Sequence, residues 1–482
     1  MSDIRHPTGS EARQTKVVAT LGPATDAPGV LERMVEAGLD VARFNLSHGN
    51  WDEHRRRLCL LRSISAKVRR PLAAMADLQG PKIRVGPIRG GSIRLEAGSR
   101  FTITSRDIEG NAQEVGTTLR GLEKGVRAGE TILLHDGLIK LSVEEVKGED
   151  LRCLVDIGGE LGSHQGINLP NSELILETLT EKDRKDVGFI LDEGFDLVAL
   201  SFVRRAEDIA VLRSLVKGRT PALPIIAKIE KPQALEEIEE IIKVVDGVMV
   251  ARGDLGVELS PELVPEAQKR IIRLCRRAGV PVITATEMLE SMTVNPRPTR
   301  AEASDVANAI EDGTDAVMLS GETARGRYPV ESVEMMTRIC RTADAHLAAE
   351  DFLWRKPDAG LKVDDAIALA AAETATSVGA SLIVAYTVSG HTARLVAKYR
   401  PKTPLVAICP RVEVSRSLAL TWGVRAYEGP LLDSLDELPR QVEALCIERQ
   451  IARPGDLVVI TAGAPLMLTG VTNCLRIHRM GA

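Results

Sequence analysis

The sequence predicts an α/β protein: a (β/α)8 TIM barrel interrupted by an inserted all-β domain and followed by an open α/β domain. Three observations carry this. Eight short apolar or β-branched runs alternate with stretches whose apolar residues recur at helical spacing. Between 83 and 172 that alternation stops, and period-two runs separated by glycine turns replace it. Past 347 the alternation resumes with its own set of runs.

In chain order, residues 1–82 supply strands at 16–21, 40–46 and 72–78, with a helical face at Val30, Leu31, Met34 and Val35 between the first two. The insertion, 83–172, is entered near Gly80-Pro81 and left near Pro170. Its strands are expected at 92–95, 101–104, 132–134, 139–143 and 151–155, turning at Gly90-Gly91, Asp136-Gly137 and Gly148-Glu149-Asp150. An insertion after the third barrel strand lies on the barrel's C-terminal face, where it can act as a lid. Residues 173–347 add strands at 196–202, 224–230, 247–252, 281–286 and 315–320. Helix starts are marked by Thr180 ahead of Glu181-Lys182-Asp183, and by proline in Lys231-Pro232 and Ser260-Pro261. Residues 348–482 form the last domain, with Ala348 to Gly360 as linker. There helices are expected at 364–377, 391–399, 412–421 and 433–450, and strands at 381–388, 404–409, 456–462 and 473–478.

Composition narrows the function classes. Over 482 residues, 62 basic against 67 acidic side chains give a net charge of −5, which argues against a nucleic-acid binder. The seven cysteines stand singly, never in a C-x-x-C pair, which argues against disulfide frameworks and thiolate zinc sites. The polar start Met1-Ser2-Asp3-Ile4-Arg5-His6-Pro7 reads as no secretory signal, and no apolar stretch approaches the ~20 residues of a membrane span. The expectation is a soluble, cytoplasmic, multi-domain protein that meets neither nucleic acid nor membrane.

In such a barrel the chemistry collects at the C-terminal ends of the strands. Those ends carry polar residues, most of them at i and i+2: Arg43, Asn45 and Ser47; Asp77; Lys228 and Glu230; Arg252 and Asp254, on either side of Gly253; Thr284 and Thr286; Ser320 and Glu322. Glu230 and Asp254 on adjacent strands suit a hard cation such as Mg²⁺ (or Mn²⁺), completed by substrate oxygens and water. Lys228 and Arg43 supply fixed positive charge for phosphate and for an anion that develops during reaction. Gly253 lets backbone amides approach an anion closely. Together these point to phosphoryl transfer or enolate chemistry.

The segments Ala42 to Gly49 (ARFNLSHG), Asp77 to Arg84 (DLQGPKIR), Ala227 to Glu230 (AKIE) and Ala251 to Gly256 (ARGDLG) resemble the pyruvate kinases. So do Thr284 to Met292 (TATEMLESM), Pro296 to Glu302 (PRPTRAE) and Met318 to Thr323 (MLSGET), and the resemblance runs over essentially the whole chain. It implies transfer of the phosphoryl group of phosphoenolpyruvate to ADP, the last step of glycolysis. By that resemblance Glu230 and Asp254 hold the divalent ion, and Lys228 serves the phosphoryl group and the enolate oxygen. Arg43 holds the substrate phosphate, while the Gly253 and Asp254 amides with the Thr286 hydroxyl hold the carboxylate. Thr286 lies near the proton delivered to the enolate carbon. Asn45, Ser47, His48 and Arg84 face the nucleotide.

Two departures from the family pattern matter. Where many relatives hold K⁺ through positions matching Asn45, Ser47, Asp77 and Leu78, this chain carries Leu78-Gln79 and places Lys82 where they have glutamate. Leucine offers no side-chain oxygen, and an ammonium can supply the cation's charge covalently, so K⁺ is not expected to be required. His164-Gln165 replaces lysines of the lid, which weakens nucleotide contacts there. In the last domain Thr387, Ser389, Gly390, His391 and Thr392 lie between a strand and a helix, a phosphate cradle that the resemblance assigns to a phosphorylated effector. Because Gly463 to Gly470 lacks basic and aromatic residues, a sugar or nucleotide monophosphate is expected there. Tetramers are common in the family, and a homotetramer is expected. A Mg²⁺-dependent lyase or aldolase on a similar barrel is the competing enzyme reading, which leaves Lys228, the lid and Arg84 without work. A catalytically silent metabolite sensor leaves Lys228, Glu230, Asp254 and Thr286 without work.

Overall fold

The structure, a computed structural model, describes residues 13–170, 172, 177–347, 360–466 and 469–481. Three buried strands come first, β1 (Lys16–Thr20), β2 (Val41–Asn45) and β3 (Ala73–Asp77). The insertion holds β4 (Ser92–Leu95), β5 (Arg100–Thr104), β6 (Glu114–Gly116), β7 (Thr131–Leu134), β8 (Ile139–Lys147), β9 (Asp150–Ile157), β10 (Gly159–Gly162) and β11 (Ile167–Asn168). Five further strands follow, β12 (Leu197–Leu200), β13 (Ile225–Ile229), β14 (Gly247–Ala251), β15 (Val282–Ala285) and β16 (Ala316–Leu319). With the first three they close a barrel in the order β1-β16-β15-β14-β13-β12-β3-β2, every pair parallel. Both faces of each strand are covered, which is why the runs read as continuously apolar and not alternating. Val18, Met75, Ile226, Met249, Ile283 and Met318 point into the barrel, while Val17, Ala19, Ala227 and Val250 pack outward against the helices.

The lid strands form a six-stranded sheet, β11-β7-β8-β9-β5-β6, and the pair β10-β4. The C-terminal sheet is built from β17 (Leu382–Tyr386), β18 (Leu405–Cys409), β19 (Val424–Glu428), β20 (Leu457–Ala462) and β21 (Cys474–Arg479) in the order β19-β18-β17-β20-β21, with β21 antiparallel. This sheet and its helices dock on the N-terminal end of the barrel. Ala419 and Leu420, from a 3₁₀ turn at Leu418–Leu420, belong to the same buried cluster as the barrel interior and stopper it. Polar contacts surround the stopper: Lys16 Nζ donates to the Val424 carbonyl at 2.8 Å, Gly423 N to the Gln14 carbonyl at 3.0 Å and Arg400 Nη2 to the Gly313 carbonyl at 2.7 Å.

Local sequence explains the element starts. Thr180 caps the helix Glu181–Glu193 by accepting from Asp183 N, and Asp183 returns the contact to Thr180 N, as the capping pattern predicts. Pro232 and Pro261 each open a helical turn. The differences from expectation lie in short or broken elements. The helix expected at 412–421 bends into the 3₁₀ turn after Ser417, and the one expected at 433–450 runs only over Leu438–Glu448. β19 lies where no strand is expected, its Val424-Arg425-Ala426 alternation being too brief to register alone. β6, β10 and β11 are likewise unforeseen: they have 3, 4 and 2 residues, and only pairing with β5, β4 and β7 defines them. The expected linker, except Gly360, lies outside the described residues, as do Met467 and Leu468. All seven cysteines are free, and burial pushes the Cys153 and Cys409 thiols up to about 12, as befits core thiols. No helix among the described residues is long and apolar enough to cross a membrane.

Candidate active site

The C-terminal ends of β2, β3, β12, β13 and β14 meet the lid in one cleft of about 130 Å³. Arg43, Asn45, Ser47, His48, Asp77, Lys82, Arg84, Lys228, Glu230 and Asp254 all line it. Strand register explains the first contacts. Arg43 and Asp77 sit near one another on the paired strands β2 and β3, and Arg43 Nε donates to Asp77 Oδ2 at 2.7 Å. Arg43 Nη1 reaches Thr20 Oγ1 of β1 at 3.0 Å, so the guanidinium is fixed from both sides.

Lys228 Nζ lies 2.8 Å from Glu230 Oε1 and 3.4 Å from Asp77 Oδ1, and donates to Ser201 Oγ at 2.8 Å. Ser201 in turn donates to the Leu78 carbonyl at 2.8 Å. Burial alone would lower the Lys228 pKa, but Asp77 and Glu230 outweigh it and raise it above the usual lysine value, so the ammonium is retained. For Asp77 burial pushes up, and Lys228 with Arg43 pulls harder, holding the carboxyl below its ordinary range. Glu230 goes the other way, raised by burial, with Asp254 adding to the rise. His48 is lowered, first by burial and then by Arg84, Arg43 and Lys82, which marks a cleft with a positive field.

Glu230 Oε2 accepts from Phe202 N at 2.7 Å, leaving Oε1 buried with Lys228 beside it and no hydrogen bond. Asp254, partly exposed, pairs with Lys82 Nζ at 3.2 Å. Among the described residues no group of three or more His, Cys, Asp or Glu side chains is gathered for a metal. Two carboxylates with open oxygens in a polar cleft fit a cation that keeps water and substrate oxygens, as Mg²⁺ does, and do not fit a fully protein-ligated zinc site.

Other expected residues are placed differently. Glycine 253 and Thr286 do not line the cleft; Gly253 N donates to Thr286 Oγ1 at 2.7 Å, and Thr286 donates to the Ala285 carbonyl at 2.6 Å. The expected carboxylate cradle is therefore closed on itself, and Thr286 stands at φ +69, a left-handed conformation disfavoured for a β-branched residue. Arg252, noted in the sequence only as a strand-end residue with no role given to it, holds this loop by donating to the Thr286 carbonyl at 2.8 Å while paired with Asp305 at 2.7 Å. Thr284 and Glu322 serve the scaffold instead: Thr284 bonds Thr314, and Glu322 accepts from the Leu289 and Ser320 amides. Ser201 was also missed, although the strand-end rule applied to β12 points to it. In the lid, Gln165 turns back to accept from Gly162 N, and the His164 carbonyl accepts from Arg84.

In the C-terminal domain Gly390, at φ +83, precedes the helix His391–Lys398 with no side-chain cap. Thr392 pairs its hydroxyl with Thr472 at 2.8 Å, His391 meets Asp364 at 2.9 Å, and Thr387 is buried.

Comparison with known proteins gives matches over most of the chain. A family model described as the pyruvate kinase barrel domain matches residues 12–333, and one described as the pyruvate kinase alpha/beta domain matches 365–478. The chain is 45% identical over 471 residues to a pyruvate kinase of Geobacillus stearothermophilus, covering 97% of this chain and 80% of that one. Against a pyruvate kinase of Sporosarcina psychrophila it is 44% identical over 476 residues, 97% of this chain and 81% of the relative. A pyruvate kinase of Clostridium acetobutylicum is 42% identical over 469 residues, covering 97% and 99%.

Proposed function

The chain belongs to the pyruvate kinase family, a family of phosphotransferases, and from that premise we propose how its own residues move a phosphoryl group from phosphoenolpyruvate to ADP. The observation that carries the reading is the chain of contacts Arg43–Asp77–Lys228–Glu230, with Asp254 in the same cleft. Arg43, fixed by Asp77 and Thr20, offers its remaining guanidinium edge to the substrate phosphate. Lys228, kept charged, faces the phosphoryl group in transfer and then the enolate oxygen left behind, so one ammonium serves two successive anions. Asn45, Ser47, His48 and Arg84 meet the nucleotide. The substrate carboxylate takes the place of the Thr286 hydroxyl on Gly253 N and also meets Asp254 N, freeing Thr286 to help deliver the proton to the enolate carbon. Glu230 and Asp254 would hold Mg²⁺ or Mn²⁺, which supplies charge neutralisation across the transferring phosphoryl group.

Independence of K⁺ is part of the proposal. Oxygens that a monovalent ion would use are engaged: Asn45 Oδ1 accepts from Ser47 N, Asp77 is held by Arg43 and Lys228, and the Leu78 carbonyl accepts from Ser201. Lys82 brings a fixed positive charge into the same cleft. A phosphorylated effector, a sugar or nucleotide monophosphate, is proposed at Thr387 to Thr392, in a cytoplasmic homotetramer. Unchanged effector binding by a T387A/S389A/T392A variant would remove that loop from the account.

The test is pyruvate formation from phosphoenolpyruvate and ADP with Mg²⁺, in K⁺ buffer and in buffer whose only monovalent cation is tetramethylammonium. Equal rates are expected. Activity confined to K⁺ buffer discards the Lys82 argument, and no activity in either, with or without sugar monophosphates, returns the lyase reading.

A further inference from the structure

The short helix Arg252–Glu258 carries Gly253 and Asp254 in its first turn, and its last residue, Glu258, lies outside the catalytic cleft. Local chemistry does not favour a glutamate there. Its carboxylate stands at the negative end of the helix dipole and is buried, the side chain being 1% exposed. The helix has seven residues and no side-chain cap at its start, so it depends on contacts with other segments to hold its place.

Glu258 makes two such contacts through one oxygen. Its Oε1 accepts from Lys231 Nζ at 2.5 Å and from Asn168 Nδ2 at 2.9 Å. Oε2 is buried and hydrogen-bonded to nothing among the described residues, so every bond of this side chain runs through Oε1. Lys231 directly follows Glu230, past the end of β13, and Asn168 ends β11, from which the chain leaves the lid. The same helix meets the lid twice more. Asp254 pairs with Lys82, at the entry to the lid, at 3.2 Å, and Val257 Cγ1 lies 3.6 Å from where a Cβ on Gly137, in a lid turn, would stand. Both chain crossings into the lid, and the loop that carries Glu230, thus rest on the helix that carries Asp254.

We propose that Glu258 is a positioning residue, which locks the helix of Gly253 and Asp254 against the Glu230 loop on one side and the root of the lid on the other. The inference rests on the assignment of Glu230 and Asp254 to the divalent ion made above. Those two residues leave adjacent strands, β13 and β14, whose pairing runs as far as Ile229 and Val250. Beyond that point the ladder no longer sets the distance between the carboxylates, and the Lys231–Glu258 pair closes the gap. Groups that orient metal ligands without touching the ion govern affinity for it. Through Asn168 the same carboxylate transmits a displacement of the lid root to the helix that holds Asp254.

Binding of Mn²⁺ to the full chain without substrate, read as the free ion by electron paramagnetic resonance, tests the metal side. Glu258→Gln keeps the size of the side chain and an acceptor for both donors but removes the charge, and Lys231→Met removes the partner. Each should weaken Mn²⁺ about tenfold, the lower end for residues that orient metal ligands. The double variant should lose no more than the weaker of the two singles, because partners in one interaction are not additive. Unchanged affinity in folded Glu258→Gln, or losses that multiply in the double variant, overturns the proposal. Lys231→Met, whose side chain is the more exposed of the pair, decides alone if the buried variant does not fold. Asn168→Ala cuts the lid side: KM for ADP should rise about fivefold, the worth of one hydrogen bond, with kcat retained, and an unchanged KM overturns the link to the lid. A wild type that takes up no Mn²⁺, or takes it up equally after Glu230→Gln, removes the metal assignment and this inference with it. Weakened Mn²⁺ in the variants of a wild type that forms no pyruvate supports the positioning role and defeats the phosphotransfer reading alone.

Discussion

At the C-terminal end of the barrel a buried lysine, Lys228, touches two carboxylates, and its pKa is raised. At the N-terminal end another buried lysine, Lys16, donates to a backbone carbonyl, that of Val424. There burial outweighs Asp40, while Arg13, Arg425 and Arg70 add to the fall, and its pKa drops to about 8. Both ends are rich in charge, but the ends differ in what the charge meets. On the catalytic face opposite charges are interleaved and left open to a cleft, ready for an anionic ligand to rearrange them. On the docking face cations from both domains gather around an apolar stopper, Ala419 and Leu420, and are tied to carboxylates and carbonyls of the scaffold, as Lys398 is to Asp365 and Arg400 to Asp315 and the Gly313 carbonyl. On the function proposed above the first arrangement serves chemistry while the second joins domains, so damage to each should appear in a different observable.

Lys228→Met gives the largest effect expected. Removing the preorganised charge should lower kcat by about 10²–10³-fold, within the range for loss of one transition-state donor. Near-ultraviolet circular dichroism should confirm that the variant is folded; a variant that is folded and within tenfold of wild-type kcat breaks the assignment of Lys228 to the reacting groups. Leu420→Ala strikes the other end. Loss of a buried leucine should destabilise the chain by about 2–5 kcal/mol in urea unfolding, with kcat per folded molecule retained. An equal loss of kcat would mean that the docking face reaches the chemistry.

Lys16 gives a prediction in pH. Its folded-state pKa, about 8, lies below the ordinary lysine value of 10.5 that holds in the unfolded chain. Below pH 8 both states hold the proton and the burial penalty, about 3 kcal/mol, is constant. Between pH 8 and 10.5 the unfolded state binds more protons, so this group's contribution makes stability rise with pH. The difference in unfolding free energy between wild type and Lys16→Met, measured from pH 7 to 10, should shift in favour of the wild type; a flat difference sinks the argument. Smallest is Thr180→Ala, which removes a helix cap on the catalytic face and should cost about 1 kcal/mol with kcat unchanged. A kcat change there would show that Asp183, which also accepts from Gly80 N at 3.2 Å, positions the loop leading to Lys82.

Much of this was legible in the residues. Each barrel strand lies within its expected run, because a strand buried on both faces needs a continuous apolar stretch and helps itself to no distant partner to be recognised. Arg43, Asp77, Lys228, Glu230 and Asp254 were found because a parallel barrel delivers all its strand ends to one rim. Ser201 and Arg252 act through other residues: the strand-end rule reaches both positions, but which groups they hold, Lys228 for the one and the Thr286 carbonyl for the other, depends on segments distant in sequence. The two-residue β11 and the three-residue β6 exist only through their partners.

What the amino-acid sequence determined by itself was the order of elements and the set of polar side chains at their ends, since periodicity and capping are local properties of the chain. Tertiary structure alone decided how those charges pair, that Thr286 closes on Gly253, and that Arg276, Arg394, Arg400 and Thr421 share one cleft. Those contacts join residues as far apart as Arg276 and Thr421, and Coulomb interaction and burial depend on distance in space, which the spacing of residues along the chain does not fix.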